Sequence, residues 1–285
     1  MNIPSPLESV HYKGLDFSVK RDDLIDPFVS GNKWRKLKYA FEDAADKSVL
    51  VTFGGAYSNH LLALAAAGAK FGKSTFAFVR GEKVSNEILF LCKQFGMEFQ
   101  FVDRESYRNK EKLFKEAFGN NESAYFIGEG GSGIQGEKGC VEIVSELTEQ
   151  YTDIFCAAGT GTTTLGLFKG LQQHSPNAHL HVVPVVKNLN LEQKFRELYP
   201  NASNYSIHEQ YLFGGYAKVN SELLDFCSDF TKKTGILVDP VYTGKMFFAL
   251  VSTIEQKLLS KSSKVLGIHT GGTLGILGFR ERFLF

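Results

Sequence analysis

The feature that most constrains the fold of this chain is a regular alternation of short apolar segments with longer helical ones. Such an alternation predicts β-α-β units, and therefore parallel sheets covered by helices on both faces. We predict an α/β fold with two three-layer αβα lobes. The predicted strands are 15–21, 48–53, 74–80, 98–102, 124–127, 153–157, 179–185 and 264–269, and the segment 237–242 is predicted as a strand that leads into a loop. The predicted helices are 34–46, 58–70, 86–95, 106–118, 140–150, 165–171, 191–198, 221–233 and 245–259.

A glycine-dense segment in the middle of the chain, Gly128–Gly133, interrupts this alternation. A chain of 285 residues, 43% of them hydrophobic, can bury enough apolar surface for two cores. We interpret the segment as a crossing between two lobes. We expect residues 37–132 to form the smaller lobe, and residues 1–36 together with 133–285 to form the larger one.

The charge balance and the cysteines exclude several classes of protein. Because 32 Lys and Arg residues stand against 31 Asp and Glu residues, the formal net charge of +1 gives no field that attracts nucleic acid or an anionic membrane. The partner we expect is a small molecule. The four cysteines form no C-x-x-C pair, which disfavours a metal site and a disulfide framework. Without a signal peptide or a run of about 18 apolar residues, the sequence favours a cytoplasmic protein outside the membrane.

The first candidate for chemistry is Lys33, in the segment Ser30-Gly31-Asn32-Lys33-Trp34. Gly31 and Asn32 allow the backbone to turn sharply just before a predicted helix. A lysine at such a junction is held in place, as a lysine that forms a Schiff base must be. On its own the position is weak support, because most lysines are solvated surface charges.

A second candidate is the turn Gly159-Thr160-Gly161-Thr162-Thr163-Thr164, between a predicted strand and a predicted helix. Its backbone N–H groups, its hydroxyls and the positive end of the helix dipole suit a phosphate dianion. It lacks the G-K-[ST] ending of a P-loop and the third glycine of a dinucleotide-binding fingerprint. A plain tight turn remains the alternative interpretation.

A third cluster, Ser58-Asn59-His60, opens another predicted helix. Ser58 and Asn59 are suited either to a ligand or to capping the helix, and the sequence does not decide between the two. For His60 we favour a structural histidine at the start of the helix over a functional one.

Six segments together resemble the family of 1-aminocyclopropane-1-carboxylate deaminase and D-cysteine desulfhydrase. The resemblance extends from about residue 15 to about residue 275, and the segments occur in the family's order and at about its spacing. The segments are Lys20–Leu24, Ser30–Lys33, Ser58–His60, Gly159–Thr164, Asp239–Lys245 and His269–Gly272. The resemblance implies a pyridoxal 5′-phosphate (PLP) enzyme of fold type II, like the tryptophan synthase β chain, with PLP bound by the larger lobe. It also implies a homodimer.

The resemblance also implies roles for individual residues. Lys33 would hold PLP through a Schiff base and, once released, move the α-proton of the substrate. Asn59 would bind the ring hydroxyl of PLP, and Ser58 would meet the substrate carboxylate or act near its Cα. Tyr242 and Tyr216 would face the substrate, and Thr270 would lie near the pyridine nitrogen. The phosphate ligands would be Gly159, Thr160, Gly161, Thr162 and Thr163. No metal is expected.

Thr243 and Thr270 indicate which reaction of the family to expect. The deaminases have a Glu after the tyrosine of the D-P-V-Y segment and a Leu before the last Gly-Gly, whereas the desulfhydrases have hydroxyl residues at both positions. A neutral hydroxyl near the pyridine nitrogen gives a milder electron sink, which suits expulsion of a good leaving group. We therefore hypothesise α,β-elimination from a small amino acid, D-amino acids included, giving pyruvate, ammonia and a leaving group such as sulfide.

Three alternatives stay open at the level of sequence. The first is 1-aminocyclopropane-1-carboxylate deamination, giving 2-oxobutyrate and ammonia. The second is a nicotinamide-dependent oxidoreductase, although the stretch after the glycine turn lacks the acidic residue needed for the ribose. The third is a ligand-binding module without catalysis. Separately, the apolar residues 274–279 are expected to lie in the core.

Overall fold

The structure is a computed structural model that describes residues 1–283. Its strands form two separate sheets. The strands are β1 (Leu7–Tyr12), β2 (Leu15–Lys20), β3 (Val49–Gly55), β4 (Ser74–Arg80), β5 (Glu98–Val102), β6 (Ala124–Phe126), β7 (Asp153–Ala158), β8 (His179–Pro184), β9 (Tyr205–Ile207) and β10 (Val265–Ile268). The helices are α1 (Asn32–Asp43), α2 (Asn59–Lys70), α3 (Glu87–Gln94), α4 (Lys110–Phe118), α5 (Ile134–Ser145), α6 (Thr162–His174), α7 (Leu191–Leu198), α8 (Ser221–Thr234) and α9 (Thr243–Glu255).

The larger sheet has six strands in the order β1-β2-β10-β7-β8-β9. All neighbours in it are parallel except β1 and β2, which form an antiparallel edge. Side chains along β7 alternate between two apolar cores: Phe155 packs with helices α8 and α9, whereas Ile154 and Cys156 pack with α5 and α6. Both faces of this sheet are therefore covered, as the alternation of strands and helices predicts.

The smaller sheet has four parallel strands in the order β5-β4-β3-β6. Its strands all lie between residues 49 and 126 of the chain. Helix α2 is buried along most of its length, from His60 to Gly68, which agrees with its prediction as a buried helix. The α/β class and the parallel sheets are confirmed, whereas the exact boundaries of the two lobes stay a prediction.

The predicted strand at 237–242 is wrong, because this segment is a turn that leads into α9. The carboxylate of Asp239 accepts hydrogen bonds from the backbone amides of Val241, Tyr242 and Thr243 at 2.9–3.0 Å. Pro240 has no amide hydrogen to donate to a neighbouring strand. The segment therefore caps a helix, and its apolar residues Val238 and Val241 are buried without pairing in a sheet, whereas Leu237 is exposed.

The expectation that residues 274–279 lie in the core is also wrong. They belong to a 3₁₀ segment, Thr273–Arg282, in which no residue is fully buried, and Leu277 is exposed. The segment crosses the surface of the smaller lobe: Gly278 lies against the ring of Tyr57, and Arg280 pairs with Glu87 of α3 at 2.9 Å. Its apolar side chains cover neighbouring residues and stay partly exposed.

Helix α5 begins six residues before its predicted start at residue 140 and ends at Ser145. Two glycines, Gly136 and Gly139, weaken the helical signal of this stretch, since glycine disfavours helices. They are needed for packing, because a Cβ on Gly139 would overlap the backbone carbonyl of Arg35 in α1. The sequence also did not predict strands β1 and β9, or the break at Asn109 that divides the predicted helix 106–118.

No helix within residues 1–283 is both long enough and apolar enough to cross a lipid bilayer. The four cysteines are buried free thiols. The same residues contain no group of His, Cys, Asp and Glu side chains that could hold a metal ion.

Candidate active site

Helix α1 places Lys33 in its first turn, against the loop that follows β10. Gly31 has a φ of 64°, and a Cβ there would overlap the carbonyl oxygen of Thr270. The amide of Asn32 donates to the same carbonyl at 3.1 Å. Glycine is required at residue 31 both for this backbone conformation and for the close approach. The start of the lysine helix is therefore fixed to the end of the larger sheet.

The amine of Lys33 is favoured in its neutral form. Its Nζ donates to Oδ1 of Asn32 at 3.0 Å. Although the side chain as a whole keeps some exposure, burial of the amine and the nearby charge of Lys36 hold the pKa of Lys33 well below its usual value. A neutral amine has the free electron pair that a nucleophile or a base needs.

The glycine-threonine turn lies between β7 and α6 and contacts the lysine helix directly. Gly161 is in the left-handed conformation, with a φ of 88°, and caps α6. The hydroxyls of Thr160 and Thr162 are 3.1 Å apart. Nδ2 of Asn32 donates to Oγ1 of Thr163 at 2.9 Å. The turn therefore presents hydroxyls and a helix N-terminus next to Lys33, as an anion site requires.

Lys36 is a second lysine at this site, which sequence reasoning missed. It is buried, and its nearest hydrogen-bond acceptor is the carbonyl of Gly130 at 3.3 Å. No carboxylate within residues 1–283 pairs with it, and burial lowers the pKa of its amine. A Cβ on Gly136 would lie between the side chains of Lys36 and Thr162, at 3.4 and 3.0 Å. A buried cation without a counter-ion beside a helix N-terminus fits a phosphate dianion.

Ser58 and Asn59 begin α2 at the carboxyl end of β3. The side chain of Ser58 makes no capping hydrogen bond, so the structure does not support the interpretation of this residue as a side-chain cap. The amide of Asn59 faces the loop after β10, since a Cβ on Gly272 would lie 2.5 Å from its Nδ2. Both polar groups are therefore available to a ligand beside this loop.

His60 is buried and only partly satisfied by hydrogen bonds. Its Nε2 lies 2.9 Å from Oγ1 of Thr52, whereas its Nδ1 has no partner within the described residues. Thr52 donates its own hydroxyl hydrogen to the carbonyl of Ile127, so the Nε2 of His60 carries the hydrogen. Burial lowers the pKa of His60 well below its usual value, so the ring is neutral.

Tyr242 and Tyr216 form one wall of the site. A Cβ on Gly159 would lie 2.9 Å from the ring of Tyr242, which places this ring over the glycine-threonine turn. The rings of Tyr216 and Tyr242 are 6.1 Å apart and nearly perpendicular. Burial, followed by the neighbouring Tyr216, raises the pKa of Tyr242 well above its usual value. Its hydroxyl is therefore protonated at neutral pH and able to donate a hydrogen bond.

The two threonines that bear on the reaction lie in different surroundings. Thr270 is buried in the loop after β10, and the ring of His269 supports this loop by accepting from the amide of Gly271 at 3.2 Å. Thr243 is fully buried and donates to Oδ1 of Asp239 at 2.8 Å. The hydroxyl of Thr243 therefore belongs to the cap of α9, and no carboxylate stands at this position.

The predicted site residues lie together at the carboxyl ends of β3, β7 and β10. Such an edge, where several strands lead into helices, is where open parallel sheets bind ligands. The residues brought together are Lys33, Ser58, Asn59, Gly159, Thr160, Gly161, Thr162, Thr163, Tyr216, Tyr242 and Thr270. The arrangement combines a neutral amine, an anion site and hydroxyl donors, which suits amine exchange and proton transfer.

Comparisons with known proteins agree with this chemistry. Residues 2–271 match the model of the family described as "Pyridoxal-phosphate dependent enzyme". A protein of Thermotoga maritima is 33% identical over 95% of this chain and 93% of its own length. One of Pyrococcus abyssi is 32% identical over 95% of this chain and 88% of its own length. Both bear the name "Putative 1-aminocyclopropane-1-carboxylate deaminase".

Solved structures give the same fold. The crystal structure of an "ACC deaminase homologue" superimposes with a TM-score of 0.84 at 29% identity, covering 98% of this chain and 92% of that one. A hydrogen sulfide-producing enzyme of Fusobacterium nucleatum superimposes with a TM-score of 0.73, covering 95% and 96% of the two chains. At 17% identity this second likeness is evidence for the fold alone. The predicted fold type II is confirmed, and the matches do not support the nicotinamide-dependent alternative.

Proposed function

Because this chain belongs to the family of pyridoxal-phosphate dependent enzymes, we propose that it catalyses α,β-elimination from a small amino acid, giving pyruvate, ammonia and a leaving group such as sulfide. The observation that carries this proposal is the pair of neutral positions at Thr243 and Thr270. The first hydroxyl is bonded to Asp239 and the second is buried in the loop after β10. Neither position offers a carboxylate to the site.

The residues of the site fit PLP. When bound, PLP supplies an aldehyde that condenses with amines and a ring that accepts electron density from the substrate Cα. In the proposed arrangement Lys33 holds the aldehyde carbon and Asn59 binds the ring hydroxyl. The turn Gly159–Thr163 and the ammonium of Lys36 bind the phosphate. The fit is supported by the buried amine of Lys36, which has no carboxylate partner among residues 1–283.

Lys33 is the proposed base. Its lowered pKa favours the neutral amine, which can take the α-proton of the substrate. The N-terminus of α2, with Ser58 and Asn59, is placed to receive the α-carboxylate, because backbone amides and a helix dipole favour a negative charge there.

Thr270 is the proposed neighbour of the pyridine nitrogen. With PLP bound, a neutral hydroxyl there would not hold the nitrogen protonated as a carboxylate would, so the ring would be a milder electron sink for charge at Cα. Loss of a good leaving group from Cβ requires less of this stabilisation than opening a carbon ring. Tyr242, protonated because of its raised pKa, can donate a hydrogen bond to the substrate.

The alternative is deamination of 1-aminocyclopropane-1-carboxylate, which the names of the Thermotoga and Pyrococcus relatives favour. The two reactions differ in their products, since elimination gives pyruvate and ring opening gives 2-oxobutyrate. The identity of Thr243 argues against ring opening here, but because of the names of these relatives ring opening remains the second candidate.

The test is a panel of both enantiomers of cysteine, serine and β-chloroalanine, together with 1-aminocyclopropane-1-carboxylate. Each is incubated with the PLP-loaded protein and scored for ammonia and for the 2-oxo acid. We expect pyruvate from at least one β-substituted amino acid and little 2-oxobutyrate from the cyclopropane substrate. Faster formation of 2-oxobutyrate than of pyruvate from D-cysteine would contradict the proposal. Light scattering of the same preparation tests the predicted homodimer.

A further inference from the structure

Arg80 lies next to the turn that leads to Ser58, at the carboxyl end of β4. It is paired in register with Gly55 of β3. One terminal nitrogen of its guanidinium is 3.8 Å from the position of a Cβ on Gly55. The carbonyl of Gly55 accepts from the amide of Ser58 at 3.0 Å. Arg80 is therefore one strand away from the turn that begins the proposed carboxylate site.

The charge of Arg80 is not neutralised by the protein. Within residues 1–283 its guanidinium makes no ion pair and no side-chain hydrogen bond. It lies over the ring of Tyr107, with 5.6 Å between the guanidinium carbon and the ring centre. The nearby Glu129 is paired with Lys110 at 3.2 Å. An exposed arginine whose guanidinium lies over an aromatic ring and pairs with no carboxylate is able to bind an anion.

A second basic side chain, Lys187, lies near the segment that carries Tyr216. Lys187 packs its methylene groups near Gly215, 3.4 Å from the position of a Cβ there, next to the half-exposed Tyr216. Burial raises the pKa of the Tyr216 hydroxyl; the hydrogen bond with Tyr242 and the charge of Arg80 oppose this rise, whereas Asp239 and Glu129 add to it. Arg80 is thus one of several charged groups near this tyrosine.

We propose that Arg80 binds a negatively charged substituent on Cβ of the substrate. The enzyme then prefers amino acids whose leaving group carries a negative charge even before its bond to Cβ breaks. This inference rests on the proposed elimination. Lys33 and the N-terminus of α2 account for the α-proton and the α-carboxylate. The substituent on Cβ is then the group left to face the wall that carries Arg80.

Serine O-sulfate is a suitable probe of this class. Lys33 takes the α-proton, and the Cβ–O bond breaks with its electron pair leaving on sulfate. The remaining enamine takes up one water to give pyruvate and ammonium. The negative charge on the leaving group, which grows as this bond breaks, is the charge that Arg80 would stabilise.

The experiment compares serine O-sulfate with the neutral ester O-acetylserine, each as both enantiomers, on the PLP-loaded protein. We expect Arg80→Gln to lower kcat/KM for the sulfate about 10- to 100-fold, the range of one charge-assisted hydrogen bond, and that for the acetate less than about 2-fold. Arg80→Lys should restore part of the loss. Lys83→Gln, which removes the same charge from an exposed residue of the adjacent loop, should change neither value.

Equal losses on both substrates would overturn the proposal, because Arg80 would then bind a group that the two share. No loss on either substrate would overturn it as well. If the wild-type protein released no pyruvate from either substrate, the proposed elimination would be wrong. The role of Arg80 would then be tested by how tightly the two amino acids bind to the protein. The visible absorbance of PLP reports the Kd of both amino acids. Tighter binding of the sulfate that disappears in Arg80→Gln would support the inference, and unchanged binding would refute it.

Discussion

Helix α1 carries two kinds of buried charge within four residues, and they differ in what neutralises them. Arg35 is fully buried and pairs with Asp22 at 2.9 Å and with Glu146 of α5. Its pKa is raised, because the two carboxylates outweigh the effect of burial. Lys33 and Lys36 have no carboxylate partner within residues 1–283, and burial lowers the pKa of both.

The difference separates charged residues that stabilise the fold from charged residues that are placed to bind a ligand. The network around Arg35 is complete within the protein: Lys20 pairs with Glu146 at 2.9 Å, and Ser5 donates to Asp22 at 2.6 Å. It ties the N-terminal segment, β2, α1 and α5 together. An unpaired buried amine is costly in the empty protein. The two lysines are therefore explained by a partner that the chain does not supply.

The largest effect we expect is on turnover in Lys33→Ala. Loss of the base and of the covalent link to PLP should lower kcat about 10⁴-fold or more. The free energy of unfolding of the PLP-free protein should not fall, because a desolvated amine is removed. Turnover assays and urea denaturation measure the two effects. Activity within tenfold of the wild type would show that Lys33 is not the reactive lysine.

Arg35→Leu should have the opposite profile. Removal of the guanidinium leaves Asp22 buried without a cationic partner and Glu146 paired with Lys20 alone, so the free energy of unfolding should fall by about 3–5 kcal/mol. As a control, Arg196→Leu removes an exposed arginine paired with Glu192 on α7 and should leave the free energy of unfolding nearly unchanged. Similar losses in the two variants would mean that the buried network does not stabilise the fold.

Lys36→Met replaces the third of these charged residues of α1 with an apolar side chain of similar length. We expect the PLP-free protein to be as stable as the wild type or more stable, because a desolvated cation is replaced. The affinity for PLP should fall by about 1.5–3 kcal/mol with the loss of a charge-assisted bond to the phosphate. Denaturation and equilibrium dialysis with PLP are the measurements. If the PLP-free protein were destabilised and its affinity for PLP were unchanged, Lys36 would stabilise the fold, as Arg35 does, and would not bind PLP.

A histidine cluster on the larger sheet should have a smaller effect, which is on the pH dependence of the free energy of unfolding. His181 is hydrogen-bonded to Asp153 and to His208, each at 2.9 Å. Burial, with the nearby His181 and His179, lowers the pKa of His208 to about 4. Between about pH 6.5 and that value the unfolded chain binds a proton that the folded chain does not. The full difference of about 2.5 in pKa would correspond to about 3.4 kcal/mol, but the ring is partly exposed and solvent screens its charge. We therefore expect the free energy of unfolding to fall by about 2 kcal/mol as the pH is lowered.

The pH dependence of urea denaturation tests this expectation, with His208→Gln as the variant and the exposed His174→Gln as its control. The first substitution should reduce the slope of the profile between about pH 4 and pH 6.5, the interval between the folded and the ordinary pKa, and the remaining slope belongs to other buried histidines such as His60. The second should leave it unchanged. A profile that keeps its slope in His208→Gln would assign the effect to another group.

The fold was predictable where local patterns and packing agree. Helix α2, with its run of Ala and Leu, and β7, with its continuous apolar residues, were predicted nearly at their observed positions. The prediction failed where packing overrode the local pattern. The glycines of α5 read as a loop although they allow close contact with α1, and the apolar residues 274–279 read as core although they lie on the surface.

The candidate site was predictable to the extent that its residues follow strands in recognisable segments, as Lys33, Ser58 and Gly159 do. Lys36 carries a weaker signal, since a spacing of three residues from Lys33 places both on one helical face. Arg80 carries no such signal, because its place beside the turn before Ser58 depends on the pairing of β3 with β4.

The sequence by itself determined the alternation of strands and helices, the kinds of chemical group at their junctions and the resemblance to a PLP family. These properties depend on residues that are close together in the chain. Only the tertiary structure decided which charges are neutralised. Asp22 and Glu146 meet Arg35 from distant segments, whereas no carboxylate reaches Lys33 or Lys36 in the part of the chain that the structure describes. A pKa depends on every group around a residue, and those neighbours are fixed only when the chain folds.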